Sequence, residues 1–216
     1  MSRLHLPVRA WLVATTLLLP LGSLAQNQTA KAPESYVITE NNSMAGTANS
    51  PVPMKLTITR DGNRLTQETT YTPPKAGAKP QHTMTRVDLS THTEWNWDLN
   101  DPSLPCTVGS YGGEWSDPFA LASELAAMSE GQSPKLLGDE TVNGIATKVY
   151  ELAGPGGEKL KYWVEPKYGL AVKVVDVRPN GPPQTQVEIT RFSTEKPAAS
   201  ALALPSNCPK SGGAAR

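Results

Sequence analysis

The sequence predicts a mainly β (α+β) protein built on an antiparallel sheet, with one or two short helices. Three observations carry this. The stretch from Leu137 to Val177 reads as strand and turn repeated, with breakers at Asn143-Gly144, at Gly154 to Gly157 and at Pro166 to Gly169. Val52, Met54, Leu56 and Ile58 alternate with Pro53, Lys55, Thr57 and Thr59, the period of a half-buried strand. Only one segment carries helix signals, so strands do not alternate with helices as βαβ units require. About nine strands result, and that many must curl, close or stack.

In chain order, residues 1–25 read as a cleavable export signal. Arg3 and Arg9 form a positive start, Ala10 to Leu21 a short apolar run, and Ser23-Leu24-Ala25 a small-x-small cut site before Gln26. The run is about 12 residues, where a membrane-crossing helix needs roughly 20. A soluble protein of the periplasm, or a secreted one, is expected. Without Arg3 and Arg9 the chain carries 18 Lys and Arg against 20 Asp and Glu, a net charge of −2. That leaves no basic footprint for nucleic acid. One domain is expected over 34–208, between a disordered polar start at 26–33 and a disordered tail at 209–216.

Tyr36 to Thr39 is the first candidate strand, and Asn41 to Pro51 reads as loop. Asp61-Gly62 then turns the Val52 strand back on itself. With those two as the loop, Ile58 faces Leu65, Leu56 faces Gln67 and Lys55 faces Glu68. After the exposed stretch Pro73 to Pro80, Thr85, Val87 and Leu89 pair with Trp95, Trp97 and Leu99. An odd loop of three or five residues is expected there, because it puts Val87 and Trp97 on one face. Gly109 to Gly113 reads as loop. Asp117-Pro118 gives a helix cap and a first-turn proline, and Phe119 to Met128 is the helix. Its inner stripe is Phe119, Ala122, Leu125, Ala126 and Met128. Thr185 to Phe192 is the last strand, followed by an extended Ala/Leu tail from Pro197 to Pro205.

Cys106 and Cys208 both lie in the exported part, and an even count in an oxidising compartment favours a bridge over two free thiols. It would close a loop of about 100 residues, worth at most about 4.7 kcal/mol by chain entropy. His82 and His92 are too few for a metal site, so no metal or cofactor is expected. No G-x-S-x-G is present, and Ser193-x-x-Lys196 lacks the partners that make such a pair catalytic. Glu94 and Asp98 share the polar side of their strand. Asp98 to Asp101 lacks the glycine and distal glutamate of a calcium loop. An enzyme is not expected.

Gly138-Asp139-Glu140-Thr141-Val142-Asn143-Gly144, then Tyr150, Tyr162-Trp163-Val164-Glu165-Pro166, Tyr168-Gly169-Leu170 and finally Leu204-Pro205 resemble the C-terminal half of the LolA/LolB-like superfamily of lipoprotein-sorting proteins. The likeness covers Leu136 to Pro205. It implies a single curved sheet, a half-open barrel partly covered by helices, whose hollow holds acyl chains in the known carriers. The chain departs from the family in its short polar 26–33 segment, where the carriers have a helix. The apolar faces of the predicted strands offer Met54, Leu56, Ile58, Leu65, Trp95, Trp97, Tyr150 and Tyr162 as lining, and the resemblance implies acyl chains or a lipidated protein as partner. The alternative is a structural or protein-interaction domain on the same scaffold, its core filled by its own side chains. A monomer is expected.

Overall fold

The computed structural model describes residues 31–47, 50–113, 117–127, 134–154 and 157–209. The export signal, Met128, the Pro155-Gly156 part of the second turn and residues 210–216 lie outside the described residues, as do the side chains of Leu125 and Ala126. Eleven strands are described: β1 (Ser35–Thr47), β2 (Ser50–Asp61), β3 (Arg64–Tyr71), β4 (Gln81–Asp88), β5 (Thr93–Asp98), β6 (Thr107–Ser110), β7 (Lys135–Val142), β8 (Ile145–Ala153), β9 (Lys159–Glu165), β10 (Leu170–Val177) and β11 (Gln184–Ser193). Helix α1 (Leu121–Ala127) lies between β6 and β7, and a 3-10 turn (Ala199–Leu202) follows β11.

All strands belong to one sheet in the order β6-β5-β4-β3-β2-β1-β11-β10-β9-β8-β7. Two meanders, β1 to β6 and β7 to β11, are therefore joined where β1 pairs antiparallel with β11, Ile38 opposite Phe192. The sheet is open, with β6 and β7 as its edges. Turn chemistry sets the second meander. Asn143 and Gly144 both have positive φ, 50° and 81°, as a type I′ turn demands.

The first meander departs from the expected pattern in four places. β1 runs on through Asn41 to Thr47 instead of entering a loop. As far as Asn42 it is paired on both sides, with β2 and with β11, and from Ser43 to Met44 and at Thr47 with β2 alone. These ladders outweigh the weak strand propensity of its Asn residues. Gly109 lies inside β6, opposite Glu94 of β5. The β2–β3 turn is Gly62-Asn63, with Asp61 opposite Arg64, so Ile58 faces Gln67 and Leu65 faces Arg60. This shift of two residues changes neighbours and leaves every side chain on its expected face.

The β4–β5 loop is the consequential departure. Asp88 pairs with Thr93, leaving a loop of four residues, an even number. Trp95 then faces Arg86 and Trp97 faces Met84, while Val87 faces Glu94. Both indoles therefore lie on the side opposite Val87. The physical reason is that the Asp88 carboxylate accepts hydrogen bonds from the backbone N–H groups of Ser90 and Thr91, and His92 adopts a φ of 51°. Those two features complete a four-residue turn.

Following paired residues across the ladders sorts side chains onto two faces. One face carries Tyr36, Ile38, Leu56, Ile58, Leu65 and Val87, and Phe119, just before α1, packs on the first four of these. The Asp117 carboxylate accepts from Phe119 N–H at 3.0 Å, which is the expected cap. The buried Phe119 ring packs edge-on to Tyr36 at 5.1 Å and to Tyr168 at 6.3 Å, and tilted against Phe192 at 6.0 Å. Further on, Leu121 and Ala122 of α1 pack against the cluster of Leu152, Tyr162, Ala171 and Val174. We call this the helix face.

The sheet curls toward that face. Val142 and Ile145, at the β7–β8 turn, pack against the Tyr36, Ile38 and Ile58 cluster, and the Asn143 amide donates to Ile189 O at 2.9 Å. In a flat sheet, β8 and β11 would stand about 14 Å apart. Register shifts at Thr39/Glu40, Ala171/Lys173, Val174/Val175 and Leu136/Gly138 supply the bending, since a bulge raises local twist.

The other face of the first meander lies under the C-terminal segment. Thr66 Oγ1 donates to Ala201 O, Leu202 is buried, and Trp95 Nε1 donates to Pro209 O at 2.8 Å. The Cys106–Cys208 disulfide fastens this segment, as the cysteine count leads one to expect. Both cysteines are buried against Trp95, with Trp97, Val108 and Leu204 around them. We call this the tail face.

Candidate functional site

The eight candidate lining residues divide between the two faces. Met54, Leu56, Ile58, Leu65, Tyr150 and Tyr162 are on the helix face. Trp95 and Trp97 are on the tail face, separated from the other six by the thickness of the sheet. Within the helix-face set, Leu56 and Ile58 belong to the packed cluster around Phe119, and Leu65 is fully buried. Met54, Tyr150 and Tyr162 are differently placed, because one cross-strand row contains all three.

That row crosses eight strands. Tyr71 faces Met54, Met54 faces Asn42, and Asn42 faces Val187 across the β1–β11 junction. Val187 faces Val174, Val174 faces Tyr162, Tyr162 faces Tyr150, and Tyr150 faces Leu136 on the edge strand. From Val187 to Leu136 the row is apolar and aromatic. Its middle is covered, with Val174 and Tyr162 buried beneath α1, and its outer end is open, with Leu136 52% exposed. The Tyr150 and Tyr162 rings stack at 5.4 Å with planes 19° apart. Burial, with Tyr150 as a second cause, pushes the Tyr162 phenol up to about 12, so it stays a neutral hydrogen-bonding group across the physiological range.

At the inner end of the row the chemistry changes. Glu40 is buried next to Asn42, and the Asn42 amide donates to Glu40 Oε1 at 2.8 Å. Burial raises the Glu40 carboxyl above its ordinary value, and the Asn42 hydrogen bond opposes this in part. Asn42 Oδ1 is buried and finds no partner among the described residues. This is a small polar pair at the inner end of an apolar row, and apolar sites commonly fix a guest with few polar groups.

Sequence reasoning missed Asn42, Glu40, Val174, Val187 and Leu136. Asn42 fell in a stretch read as loop. The rest are joined to Tyr150 and Tyr162 through the β1–β11, β10–β11 and β9–β10 registers, which no local pattern states, and through the β7–β8 register, which a bulge at Leu136/Gly138 displaces. On the tail face, the Arg86 guanidinium lies 5.3 Å from the Trp95 ring centroid. Burial, then the nearby Arg64, lowers its pKa from the ordinary arginine value. Among the described residues no group of three or more His, Cys, Asp or Glu side chains could hold a metal ion, and no helix is long and apolar enough to cross a membrane.

No protein-family model matches the chain, and no curated protein matches it. Solved structures to which it is similar include the MucA/MucB complex of Pseudomonas aeruginosa, at 15% identity and a TM-score of 0.45, over 81% of this chain and 57% of that one. Another is an uncharacterised conserved protein of Thermus thermophilus, at 9% identity and a TM-score of 0.44, over 82% of this chain and 88% of that one. A third is the LolA superfamily protein NE2245 of Nitrosomonas europaea, at 13% identity and a TM-score of 0.36, over 81% of this chain and 93% of that one. The chain thus spans little more than half the length of the first. The third carries the name of the superfamily that the sequence resembles.

Proposed function

We propose that the chain is an exported, non-enzymatic binding protein of the periplasm, with residues 34–208 as its working unit. Its guest is an acyl chain, free or borne by a lipidated partner, laid along Val187, Val174, Tyr162, Tyr150 and Leu136. The observation that supports this reading is the course of that row, covered in the middle and open at the sheet edge. A guest entering at Leu136 meets only apolar and aromatic surface until it reaches Asn42. Among the described residues, α1 rests on this cluster through the partly buried Leu121 and Ala122. Lifting the half-buried Leu121 costs less than the about 1.5 to 3 kcal/mol of a fully buried leucine, which a bound acyl chain can offset at about 0.8 kcal/mol for each methylene it buries.

The test is mass spectrometry of an organic extract of the protein purified from the envelope, followed by titration with a fluorescent fatty acid. Co-purified lipid and saturable binding that weakens about fivefold or more in Tyr150→Ala support the reading. A lipid-free extract with no saturable binding removes it.

A second reading is a protein-interaction domain with a filled interior. It is favoured by the packing of Leu56, Ile58 and Ile38 against Phe119, which leaves that part of the helix face occupied by the chain's own side chains. On this reading Tyr150→Ala lowers stability and has no lipid binding to affect.

A further inference from the structure

Strand β7 ends the sheet, and every residue from Lys135 to Thr141 is exposed. Leu136 at 52% and Leu137 at 42% are, with Leu104, the large apolar side chains most open to solvent among the described residues. The other edge, β6, is only four residues long. A long exposed edge strand with apolar side chains is a template for pairing.

The hydrogen-bonding phase of β7 follows from its turn. A two-residue turn at Asn143-Gly144 makes Val142 and Ile145 a bonded pair, and bonded pairs alternate along an antiparallel ladder. Glu140 opposite Thr147 is therefore bonded to β8. Thr141 and Asp139 turn their N–H and C=O outward. On β8 the same alternation directs Tyr150 toward β9, so Leu136, opposite Tyr150 beyond the bulge, also faces outward.

The charge order along β7 is basic at Lys135 and acidic at Asp139 and Glu140. Laid antiparallel on a second β7, Leu136 of each copy meets Asp139 of the other, which pairs outward groups with outward groups. The same register sets Lys135 of each copy opposite Glu140 of the other. These two lie on one face of the strand, since their β8 partners are Glu151 and Thr147. A parallel arrangement would instead align like charges. Both the amide phase and the charge order are thus self-complementary in one register.

We propose that β7 pairs antiparallel with β7 of a second copy of this chain, joining two sheets across a two-fold axis. This proposal stands against the expectation of a monomer, and it does not depend on whether the helix face holds an acyl chain. An edge-to-edge seam is a small interface, so the dimer is a weak one, seen in the micromolar to millimolar range.

Sedimentation of the purified protein across that concentration range tests it. The wild type is expected to self-associate. Lys135→Glu turns two attractive seam pairs into repulsive ones and should weaken the dimer about tenfold. Glu140→Lys should weaken it similarly, and the double variant Lys135→Glu/Glu140→Lys should restore affinity to within about threefold of wild type, the expected scatter for exposed ion pairs. Asp139→Pro removes the outward N–H that this register pairs with Leu136 of the second copy and that β8 does not use, and should abolish association. Far-UV circular dichroism confirms that each variant folds. A wild type that stays monomeric throughout overturns the proposal, as does a dimer that survives Asp139→Pro or is not restored by the charge exchange.

Discussion

Replacing both cysteines, in Cys106→Ser/Cys208→Ser, removes the covalent tie of the C-terminal segment to the tail face. The tied residues are 102 apart in sequence. Chain entropy gives a loop of this size an upper value of about 4.7 kcal/mol, and loss of a native disulfide typically costs about 2 to 5 kcal/mol. What remains to hold the segment is the burial of Leu202, the Thr66 bond to Ala201 O at 3.1 Å and the Trp95 bond to Pro209 O at 2.8 Å. Each such hydrogen bond contributes about 1 kcal/mol net. With a urea dependence of about 2 kcal/mol per molar, the unfolding midpoint should fall by about 1 to 2.5 M. Tryptophan emission of the folded variant should shift to the red, because Trp95 loses its buried cysteine neighbours and the Pro209 carbonyl. Equilibrium urea titration followed by fluorescence measures both. A midpoint lowered by less than about 0.3 M, with unchanged emission, would refute the idea that the bridged tail covers the indoles and stabilises the fold.

Two further predictions concern the helix face. Burial raises the Glu40 pKa above its ordinary 4.5, so folding opposes ionisation there. Stability from this residue is fully present below pH 4.5, where the carboxyl is protonated folded and unfolded, and it declines as pH rises toward and through the raised folded value. Glu40→Gln keeps the Asn42 bond without a charge, so it should raise the melting temperature at about pH 7 and have no such effect at about pH 4; an equal gain at both would show that burial of charge is not the cause. Phe119→Ala removes a buried ring from contact with Tyr36, Tyr168 and Phe192, and should lower stability by about 3 to 5 kcal/mol in the same urea assay. A loss under about 1 kcal/mol would mean that the α1 segment is not anchored as described.

Legibility in the sequence followed how local each determinant is. The second meander was legible because Asn143-Gly144 and the Pro166 to Gly169 turn carry their geometry in their own residue types. The Asp117 cap and the disulfide were legible for the same kind of reason, a local side-chain acceptor and a cysteine count. The continuation of β1 through Asn41 was not, since only its two flanking partners make that stretch a strand. The candidate site suffered most from one loop. Each strand's alternation was read correctly, yet whether Trp95 and Trp97 shared a face with Ile58 depended on the parity of the β4–β5 loop. Four residues there, rather than three or five, moved both indoles to the tail face. The row from Asn42 to Leu136 depended on a chain of registers and on bulges within them, which sequence alternation does not encode.

Which face receives a guest decides the rest. Titrating a fluorescent fatty acid against Tyr150→Ala and Trp97→Ala in parallel asks this directly. Affinity should drop in Tyr150→Ala and stay at the wild-type value in Trp97→Ala, because only the first residue lies on the Asn42 to Leu136 row. Binding lost in Trp97→Ala and kept in Tyr150→Ala would put the guest on the tail face and contradict the assignment.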